Sequence, residues 1–357
     1  MRPDRRPLRR AVGLLALGGS IAAVAVGLSR PGPDPKGSTP VPVEEVAPSR
    51  LLLAGERIRI LSWNVQYAAG RRLHFFYDGG TAVHVPEGDV RATLEGLEAV
   101  IAAEAPDLVL LQEVDRDSRR TGRIDQVPPL ATAARAACLA TASYHRARFV
   151  PIPVRHPLGR VDMHLALLSR FPMTGAERVA LPLLRESRLR RAFNLKRALL
   201  WATLPVEGGP DLDVAVTHLS AFSLGDGTLA RQVVVLDAWM REREAARRPF
   251  VLAGDLNLLP PGDDPGRLGA DAVEYADDPN PVEALLAAHR CVLPDPAEPL
   301  RPDQRTYLPF GATLPDRVLD YVFVGPGIEV EDARVLQEHR DLSDHVPLCV
   351  DLELPRS

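Results

Sequence analysis

The sequence predicts an α+β fold for residues 56–357, which we expect to form one domain. Short apolar runs with the length of strands recur along this region, and three segments have the apolar spacing of helices. No linker divides the region, and no internal repeat is evident. Of the 357 residues, 46% are hydrophobic and 25% are charged, which is typical of a globular protein with a sizeable core.

The periodicity of each segment predicts its structure. Eight apolar runs of strand length end in polar or turn-forming residues, and the predicted strands are residues 58–63, 108–112, 165–169, 198–204, 212–217, 250–253, 319–324 and 346–352. Apolar residues between Val90 and Ile101 recur at helical spacing before Pro106, which predicts the first helix. Residues 229–243 and 281–289 are the other two predicted helices.

The first 55 residues differ in composition from the rest. Residues 11–29 contain no charge and follow a stretch rich in arginine. As a helix they would span about 28 Å, close to the hydrocarbon thickness of a bilayer, and the arginines favour a cytoplasmic N-terminus. We therefore expect an exported protein, either membrane-anchored with its body outside the cytoplasm or secreted after signal-peptide cleavage behind Ala25. Residues 30–55 are predicted to form a Pro-rich linker.

Charge and cysteine content narrow the classes of function. The net charge of −4 is uneven, because residues 1–50 hold eight basic and four acidic residues and the remainder carries −8. An acidic body argues against tight nonspecific binding of duplex nucleic acid, although it leaves room for a local basic groove. Cys138, Cys291 and Cys349 are scattered without C-x-x-C spacing, so neither a disulfide framework nor a zinc site is expected.

Polar side chains stand at the ends of several predicted strands, where a sheet holds them rigidly while water still reaches them. They are Asn64, Gln112, Glu113, His218, Asp255, Asn257, Asp320, Asp344 and His345. In the stretch "FVLAGDLNLLP", the period-two alternation of a strand places Asp255 and Asn257 on the same face. The alternative for this stretch is an ordinary turn, because Gly, Asp and Asn favour turns.

These residue types match the needs of phosphate-ester hydrolysis. A hard cation such as Mg²⁺ prefers carboxylate oxygens, which Glu113 and Asp344 could supply. The carboxylate of Asp255 or the imidazole of His345 could activate a water, and Asp320 could hold that imidazole in one tautomer. Taken singly, each residue also fits a structural role in a turn, a helix cap or a solvated strand end.

The order N…QE…TH…GDxN…DY…SDH, found between about residues 57 and 354, resembles the endonuclease/exonuclease/phosphatase superfamily. This group contains deoxyribonuclease I, exonuclease III and bacterial sphingomyelinases. The resemblance implies a four-layered α/β/β/α sandwich, in which two packed mixed β-sheets carry helices on their outer faces and the site lies at one rim. It also implies hydrolysis of phosphate esters with Mg²⁺ as the cofactor, or Mn²⁺ in its place.

The resemblance further assigns roles to single residues. The metal-binding positions of the family are matched by Asn64, Glu113 and Asp344, of which Glu113 resembles the principal ligand. The catalytic positions are matched by His218, Asp255, Asn257, Asp320 and His345. Asp255 resembles the residue that orients or activates water, and Asn257 resembles its phosphate-binding neighbour. Arg197 resembles an arginine that contacts phosphate in some members, and an ordinary surface arginine is the alternative.

The motifs do not select a substrate, because this scaffold serves nucleic acids and lipids alike. Our first hypothesis is an exported Mg²⁺-dependent phosphoesterase that acts on a phospholipid headgroup, contacts the membrane through residues 11–29 and needs no obligate protein partner. The second is a secreted or surface-tethered nuclease, and the third is a noncatalytic binding module. Aromatic residues at 74–77 and the basic run at 188–197 could serve lipid or nucleic acid, or could be ordinary surface.

Overall fold

The computed structural model describes residues 37–356 apart from residues 222, 224 and 276–278. The predicted signal peptide or membrane anchor, with its hydrophobic helix at residues 11–29, and the start of the predicted linker lie outside the described residues. Across the described part of the chain, no helix combines the length and the apolar character needed to cross a membrane.

Strands make up most of the regular structure. In chain order, the strands within the described residues are β1 (Ser38–Val41), β2 (Val43–Glu45), β3 (Leu52–Leu53), β4 (Arg57–Asn64), β5 (Leu108–Asp115), β6 (Cys138–Val150), β7 (Gly159–Ser169), β8 (Gly175–Ala180), β9 (Ala198–Leu204), β10 (Val206–Glu207), β11 (Leu212–His218), β12 (Phe250–Asp255), β13 (Cys291–Leu293), β14 (Asp320–Val324), β15 (Glu329–Val335) and β16 (Leu348–Glu353). The α-helices in the same part of the chain are α1 (Glu87–Glu104), α2 (Val127–Ala133), α3 (Arg188–Phe193), α4 (Thr228–Ala245) and α5 (Val282–Ala288).

Two seven-stranded mixed sheets pack face to face. Sheet 1 has the order β1-β8-β9-β11-β12-β14-β13, and sheet 2 has the order β15-β16-β4-β5-β7-β6-β2. Helices α4 and α5 pack on the outer face of sheet 1, whereas α1 and α2 pack together against the cluster that includes sheet 2. The predicted four-layered α/β/β/α sandwich is confirmed.

Apolar burial holds these layers together. One large cluster fills the space between the sheets and beneath α1, and a second lies between sheet 1 and helices α4 and α5. In α1, the residues predicted from helical spacing form the buried face, and the helix ends where Ala105 adopts a left-handed conformation before Pro106. Each fully buried Val, Leu or Ile contributes about 1.5–3 kcal/mol, so both sheets are stabilised mainly by such contacts.

The eight predicted strands and the three predicted helices are present, with ends that differ by a few residues. The missed strands lack a long continuous apolar run, and they are β1, β2, β3, β6, β8, β10, β13 and β15. Most of them are short or lie at sheet edges, where one face meets water. Edge strands of this kind carry little sequence signal.

Part of the predicted Pro-rich linker belongs to the sandwich. β1 pairs with β8 in sheet 1, and β2 pairs with β6 in sheet 2, so the chain joins one edge of each sheet in turn. Residues 38–45 are therefore not a free linker. Pro40 and Pro42 made this segment resemble a linker in the sequence. An edge strand nevertheless tolerates proline, because its outward N–H needs no partner.

The strand register brings the polar strand ends to one rim of the sandwich. In sheet 1, β11 runs parallel to β12 with His218 opposite Asp255, and β14 runs antiparallel with Asp320 opposite Asp255. In sheet 2, β4 runs parallel to β5 with Asn64 opposite Gln112. Because parallel neighbours end at the same edge, the two sheets deliver their terminal polar residues to a common site.

Candidate active site

A pocket of about 350 Å³ opens at this rim between the two sheets. The sequence-predicted residues that line it are Asn64, Glu113, Arg197, His218, Asp255, Asn257, Asp344 and His345. Asp320 stands behind His345 and reaches the pocket only through that imidazole. The structure thus brings together residues that lie up to 281 positions apart in the chain, from Asn64 to His345.

The stretch that ends β12 is both a turn and part of the pocket. Gly254 has φ of 147°, and a Cβ at this position would lie 2.0 Å from the carbonyl oxygen of Thr217, so only glycine fits. The carboxylate of Asp255 accepts a hydrogen bond from the backbone N–H of Asn257 at 2.9 Å, and Asn257 has φ of 51°. Strand alternation therefore stops at Asp255, and an Asx turn brings Asn257 into the pocket. Asp255 and Asn257 thus both line the pocket as predicted, but the Asx turn and not strand alternation places Asn257 there.

A β-bulge turns Glu113 toward the pocket. The pairing of β5 with β7 shifts between Leu111 and Val114, and Glu113 has φ of 58°. The hydroxyl of Tyr144 accepts a hydrogen bond from the backbone N–H of Glu113 at 3.0 Å, which supports this irregular backbone. Bulges often re-aim a side chain beside a functional site, and here the bulge leaves the Glu113 carboxylate lining the cavity.

His345 is held by carboxylates on both ring nitrogens. Its Nδ1 lies 2.7 Å from Oδ2 of Asp320, and its Nε2 lies 3.5 Å from Oδ2 of Asp255. Burial disfavours the imidazolium, but the charges of Asp320 and Asp255 outweigh that effect and raise the pKa of His345 to about 10. The imidazole is therefore cationic at neutral pH, and it is a hydrogen-bond donor at both nitrogens.

Asp255 is the centre of the polar network. Its carboxylate accepts a hydrogen bond from Nδ2 of Asn64 at 3.1 Å and lies 3.2 Å from Nε2 of His218. Burial raises the pKa of Asp255 to about 6, while the neighbouring charge of His345 opposes the rise. Asp255 is thus mainly ionised at neutral pH, yet it is far more basic than an ordinary aspartate.

His218 differs from His345 in its charge. Burial, together with the nearby cations Arg197 and His345, lowers the pKa of His218 well below its ordinary value, so the ring is neutral. Its Nδ1 lies 3.3 Å from the hydroxyl of Tyr144 and 3.8 Å from Oε1 of Glu113. The site therefore contains one cationic and one neutral imidazole beside the same aspartate.

Glu113 and Asp344 fit the donor set of a hard divalent cation. Burial raises the pKa of Glu113, and burial together with the charge of Glu113 raises the pKa of Asp344 to about 6 despite the opposing charge of His345. Two half-buried carboxylates with raised pKa values in one pocket are stabilised by a bound cation, and carboxylate oxygens suit Mg²⁺. The amide of Asn64 is engaged by Gln66 and Asp255, so its role as a third ligand stays a prediction.

A second group of potential ligand atoms comes from Asp255, Asp320 and His345, which lie within 4.8 Å of one another. We interpret this group as a hydrogen-bonded acid–imidazole array rather than a metal site. The reason is that Nδ1 of His345 already bonds to Asp320, and a cation would have to displace the positively charged ring.

Arg197 is a pocket residue and not a surface residue. It is only 6% exposed, and its guanidinium stands 5.4 Å above the ring of Tyr144. Among the described residues, its Nη1 has no hydrogen-bond partner. A buried guanidinium nitrogen that is left unpaired beside acidic groups is suited to an anionic ligand, because an unpaired buried donor is otherwise costly.

Two residues that support the site, Tyr144 and Arg120, lie in segments whose structure the sequence pattern did not predict. Tyr144 lies in β6, where apolar and polar residues alternate from Ala140 to Tyr144, and this alternation was the signal that could have revealed a strand. Arg120 forms a buried bidentate ion pair with Asp115 at 2.9 Å, and its guanidinium stacks 3.5 Å from the ring centre of Tyr67. No sequence motif marks these contacts, because they join positions that only the fold brings together.

Comparison with known proteins gives a matching family and solved structures with a similar fold. The model of the Endonuclease/Exonuclease/phosphatase family matches residues 61–345. A solved endonuclease/exonuclease/phosphatase from Beutenbergia cavernae is 27% identical and has a TM-score of 0.55, with coverage of 84% of this chain and 72% of that one. A comparison with curated proteins gave no match.

Two more distant structures share the fold. The catalytic domain of human Nocturnin is 18% identical with a TM-score of 0.52, and the match covers 87% of this chain and 96% of that one. An endonuclease/exonuclease/phosphatase from Bacteroides vulgatus is 16% identical with a TM-score of 0.52, and the match covers 84% of this chain and 99% of that one.

Proposed function

Because the chain belongs to the endonuclease/exonuclease/phosphatase family, we propose that it is a Mg²⁺-dependent phosphoesterase that hydrolyses a phosphodiester. Members of this family are generally phosphoesterase hydrolases that use divalent metal ions. The observation that carries the proposal is the division of charge around Asp255. An ionised carboxylate, a cationic imidazole and a neutral imidazole meet within hydrogen-bonding range at one end of the pocket.

Asp255 is the general base in this proposal. Its pKa of about 6 leaves it ionised at neutral pH and still basic enough to take a proton from water. His345 cannot take that proton, because its own pKa of about 10 keeps it protonated. The water oxygen bonds to phosphorus as its proton passes to Asp255. The bond from phosphorus to the leaving oxygen breaks with its electron pair remaining on that oxygen, whose negative charge the imidazolium of His345 compensates.

The surrounding donors stabilise the phosphoryl group. Nη1 of Arg197 is available to a phosphate oxygen. Nδ2 of Asn257 carries two protons, of which one is donated to the carbonyl of Leu219 at 3.2 Å, so the other is available to a second phosphate oxygen. The imidazolium of His345 adds positive charge at the same end of the pocket. Glu113 and Asp344 would hold Mg²⁺ or Mn²⁺, which would neutralise charge on the phosphoryl oxygens.

A phospholipid headgroup outside the cytoplasm is our first candidate substrate. The uncharged residues 11–29 behind a cluster of arginines support export, and the acidic body argues against a general duplex-binding enzyme. A nuclease is the second candidate, and it is favoured by aromatic rings in the pocket wall, where Phe310 stacks on His74 with ring centres 4.3 Å apart. Such rings can stack on unpaired bases.

Hydrolysis of bis(4-nitrophenyl) phosphate by the full chain tests the reaction. We expect turnover with Mg²⁺ or Mn²⁺ and none after chelation, and lack of turnover with either metal would refute the proposed class. Plasmid DNA, RNA and phospholipid vesicles, including sphingomyelin vesicles, should then be compared at equal metal concentration. Release of a phosphorylated headgroup supports the first candidate, and cleavage of nucleic acid alone supports the second.

A further inference from the structure

Apolar side chains project into solvent beside the mouth of the pocket. They lie in the β6–β7 tip, which we define as residues 150–158. Ile152 is 54% exposed and Val154 is 86% exposed, and Ile152 and Leu158 also line the pocket. The prolines of this tip restrict its backbone, which lowers the entropy lost when the tip is bound. Scattered apolar residues are common on surfaces, so the charge and position of the tip are needed to interpret it.

The charge around the β6–β7 tip is positive. Residues 144–161 contain four arginines, of which Arg146 and Arg160 form ion pairs with Asp162 and Asp117. Arg148 and Arg155 are exposed, and neither forms a hydrogen bond or ion pair within the described part of the chain. Aliphatic side chains flanked by free arginines fit an anionic lipid interface, where the former enter the headgroup region and the latter meet phosphates. Single-stranded nucleic acid fits less well, because Ile152 and Val154 have no rings on which bases could stack.

The chain enters the sandwich at the rim that holds the pocket. The carbonyl of Gly37 accepts a hydrogen bond from the N–H of Ala180, and Ala180 pairs with Ala198 directly after the pocket residue Arg197. From that point β1 and β2 run away from the pocket, and β2 ends with Glu45 paired to Cys138. The side chain of Arg178 also donates to the carbonyl of Ser143 in β6, so the entry point lies close to the strand that leads to the tip.

Chain length limits how far the sandwich can turn from its N-terminal segment. Residues 30–36 are seven residues, which span at most about 25 Å when fully extended. The tip begins seven residues beyond Ser143 along β6, which is about 23 Å at 3.3 Å per residue. If residues 11–29 lie in a bilayer, a connection this short holds the rim with the pocket near the bilayer, and not the opposite rim.

We propose that the β6–β7 tip docks on an anionic lipid surface and turns the mouth of the pocket toward it. Ile152 and Val154 enter the interface, and Arg148 and Arg155 contact lipid phosphates. The docking does not depend on which phosphate ester the site hydrolyses. In this orientation, the substrate enters the pocket from the membrane surface.

Site-directed spin labelling of the full chain in vesicles tests the docking. The three native cysteines are buried, so a label attaches selectively to an introduced thiol. Val154→Cys places the label on the tip, and Val234→Cys places it at an exposed apolar position on α4, 64% exposed, as the matched control. In vesicles with anionic lipid, we expect a severalfold higher ratio of oxygen to nickel-chelate collisions at position 154 than at 234. Equal ratios at the two positions overturn the proposal.

Charge and activity complete the test. Arg148→Glu with Arg155→Glu should bring the collision ratio at position 154 down to that at 234, since each basic residue near an anionic surface is worth about fivefold in affinity. Shielding of position 154 by an oligonucleotide, with no effect of lipid, also overturns the proposal. Val154→Asp should hydrolyse bis(4-nitrophenyl) phosphate at the wild-type rate, so a failure of the reaction itself is seen separately from a failure of docking.

Discussion

The two halves of the pocket differ in how their charges are compensated. In the acid–imidazole half, formed by Asp255, Asp320 and His345, each carboxylate faces an imidazole at hydrogen-bond or ion-pair distance. In the carboxylate half, formed by Glu113 and Asp344, burial raises both pKa values. Asp344 accepts a hydrogen bond from Ser343 at 3.2 Å, and Glu113 lies 3.8 Å from Nδ1 of His218, whose ring is neutral. The side chains of the first half thus compensate one another, whereas in the proposed mechanism a divalent cation would complete the second half.

Removal of the general base Asp255 from the acid–imidazole half should reduce kcat more than any other change. Asp255→Asn keeps the size of the side chain but cannot accept a proton, so we expect kcat to fall by roughly 10²–10⁴. Steady-state hydrolysis of bis(4-nitrophenyl) phosphate measures the change. A cooperative thermal transition in the variant serves as the control for folding, and wild-type turnover in a folded variant would contradict the assignment of the base.

Metal binding should distinguish the two halves next. Mg²⁺ should stabilise the wild-type protein by about 2.7 kcal/mol at 100 times its Kd, and Glu113→Gln should lose most of this gain together with activity. Asp320→Asn is the matched control and should retain the gain, because Asp320 contacts only the imidazole in our assignment. Thermal unfolding with and without Mg²⁺ measures both variants. Equal loss of the gain in the two variants would remove the distinction between the halves.

The pH dependence should sharpen the assignment of charge. We expect activity to rise through pH 6 as Asp255 ionises and to fall as His345 loses its proton near pH 10. Asp320→Asn removes a charge that raises the pKa of His345, so the alkaline limb of the rate profile should move to lower pH. An alkaline limb that stays in place would show that His345 is not the group responsible.

The pair formed by Asp320 and His345 also predicts how the stability of the fold changes with pH. The pKa of His345 is raised on folding, so its contribution to stability is fully present below pH 6.5 and is lost as pH rises toward 10. The Tm difference between wild type and Asp320→Asn should therefore be larger at pH 6 than at pH 10. Thermal unfolding at the two pH values provides the measurement.

The smallest effect is expected at Tyr144, which contacts Glu113 of the carboxylate half and reaches Asp255 of the acid–imidazole half through His218. Tyr144→Phe removes the acceptor for the buried N–H of Glu113 and a neighbour of His218, so we expect a stability loss of about 1–3 kcal/mol and a severalfold lower kcat. Thr203→Val is the control, since it removes the hydrogen bond to Asp213 at the opposite end of β9 and β11. Equal kcat values for the two variants would show that Tyr144 acts only on stability.

Sequence reasoning reached the sandwich and the pocket for one physical reason. Central strands are buried on both faces, so their apolar runs are continuous, and the polar residues that end them are conspicuous. Asn64, His218 and Asp255 were found in this way. The bulge at Glu113 was not predicted, and the turn at Asn257 was considered only as the alternative to a functional pair. Both depend on backbone conformations with positive φ that no apolar pattern encodes.

Other features were missed because their signal exists only in three dimensions. Tyr144 supports Glu113 and His218 across two sheets, and its strand alternates between buried and half-exposed positions. The sequence could not distinguish a phosphate-binding Arg197 from a surface arginine, and only its position in the pocket with an unpaired Nη1 distinguishes the two. Burial and pairing of this kind follow from the register between strands, and register is set by distant partners.

The β1–β2 segment has a consequence for any processing of the N-terminus. Cleavage behind Ala25 would leave both strands in place, so a shed form and a tethered form would share one intact sandwich. Trimming beyond Val41 would instead uncover the outer strand of sheet 1, and a bare edge of that kind invites self-association. Proteolysis ahead of Gly37 would keep β1 paired with β8 and so leave that edge covered.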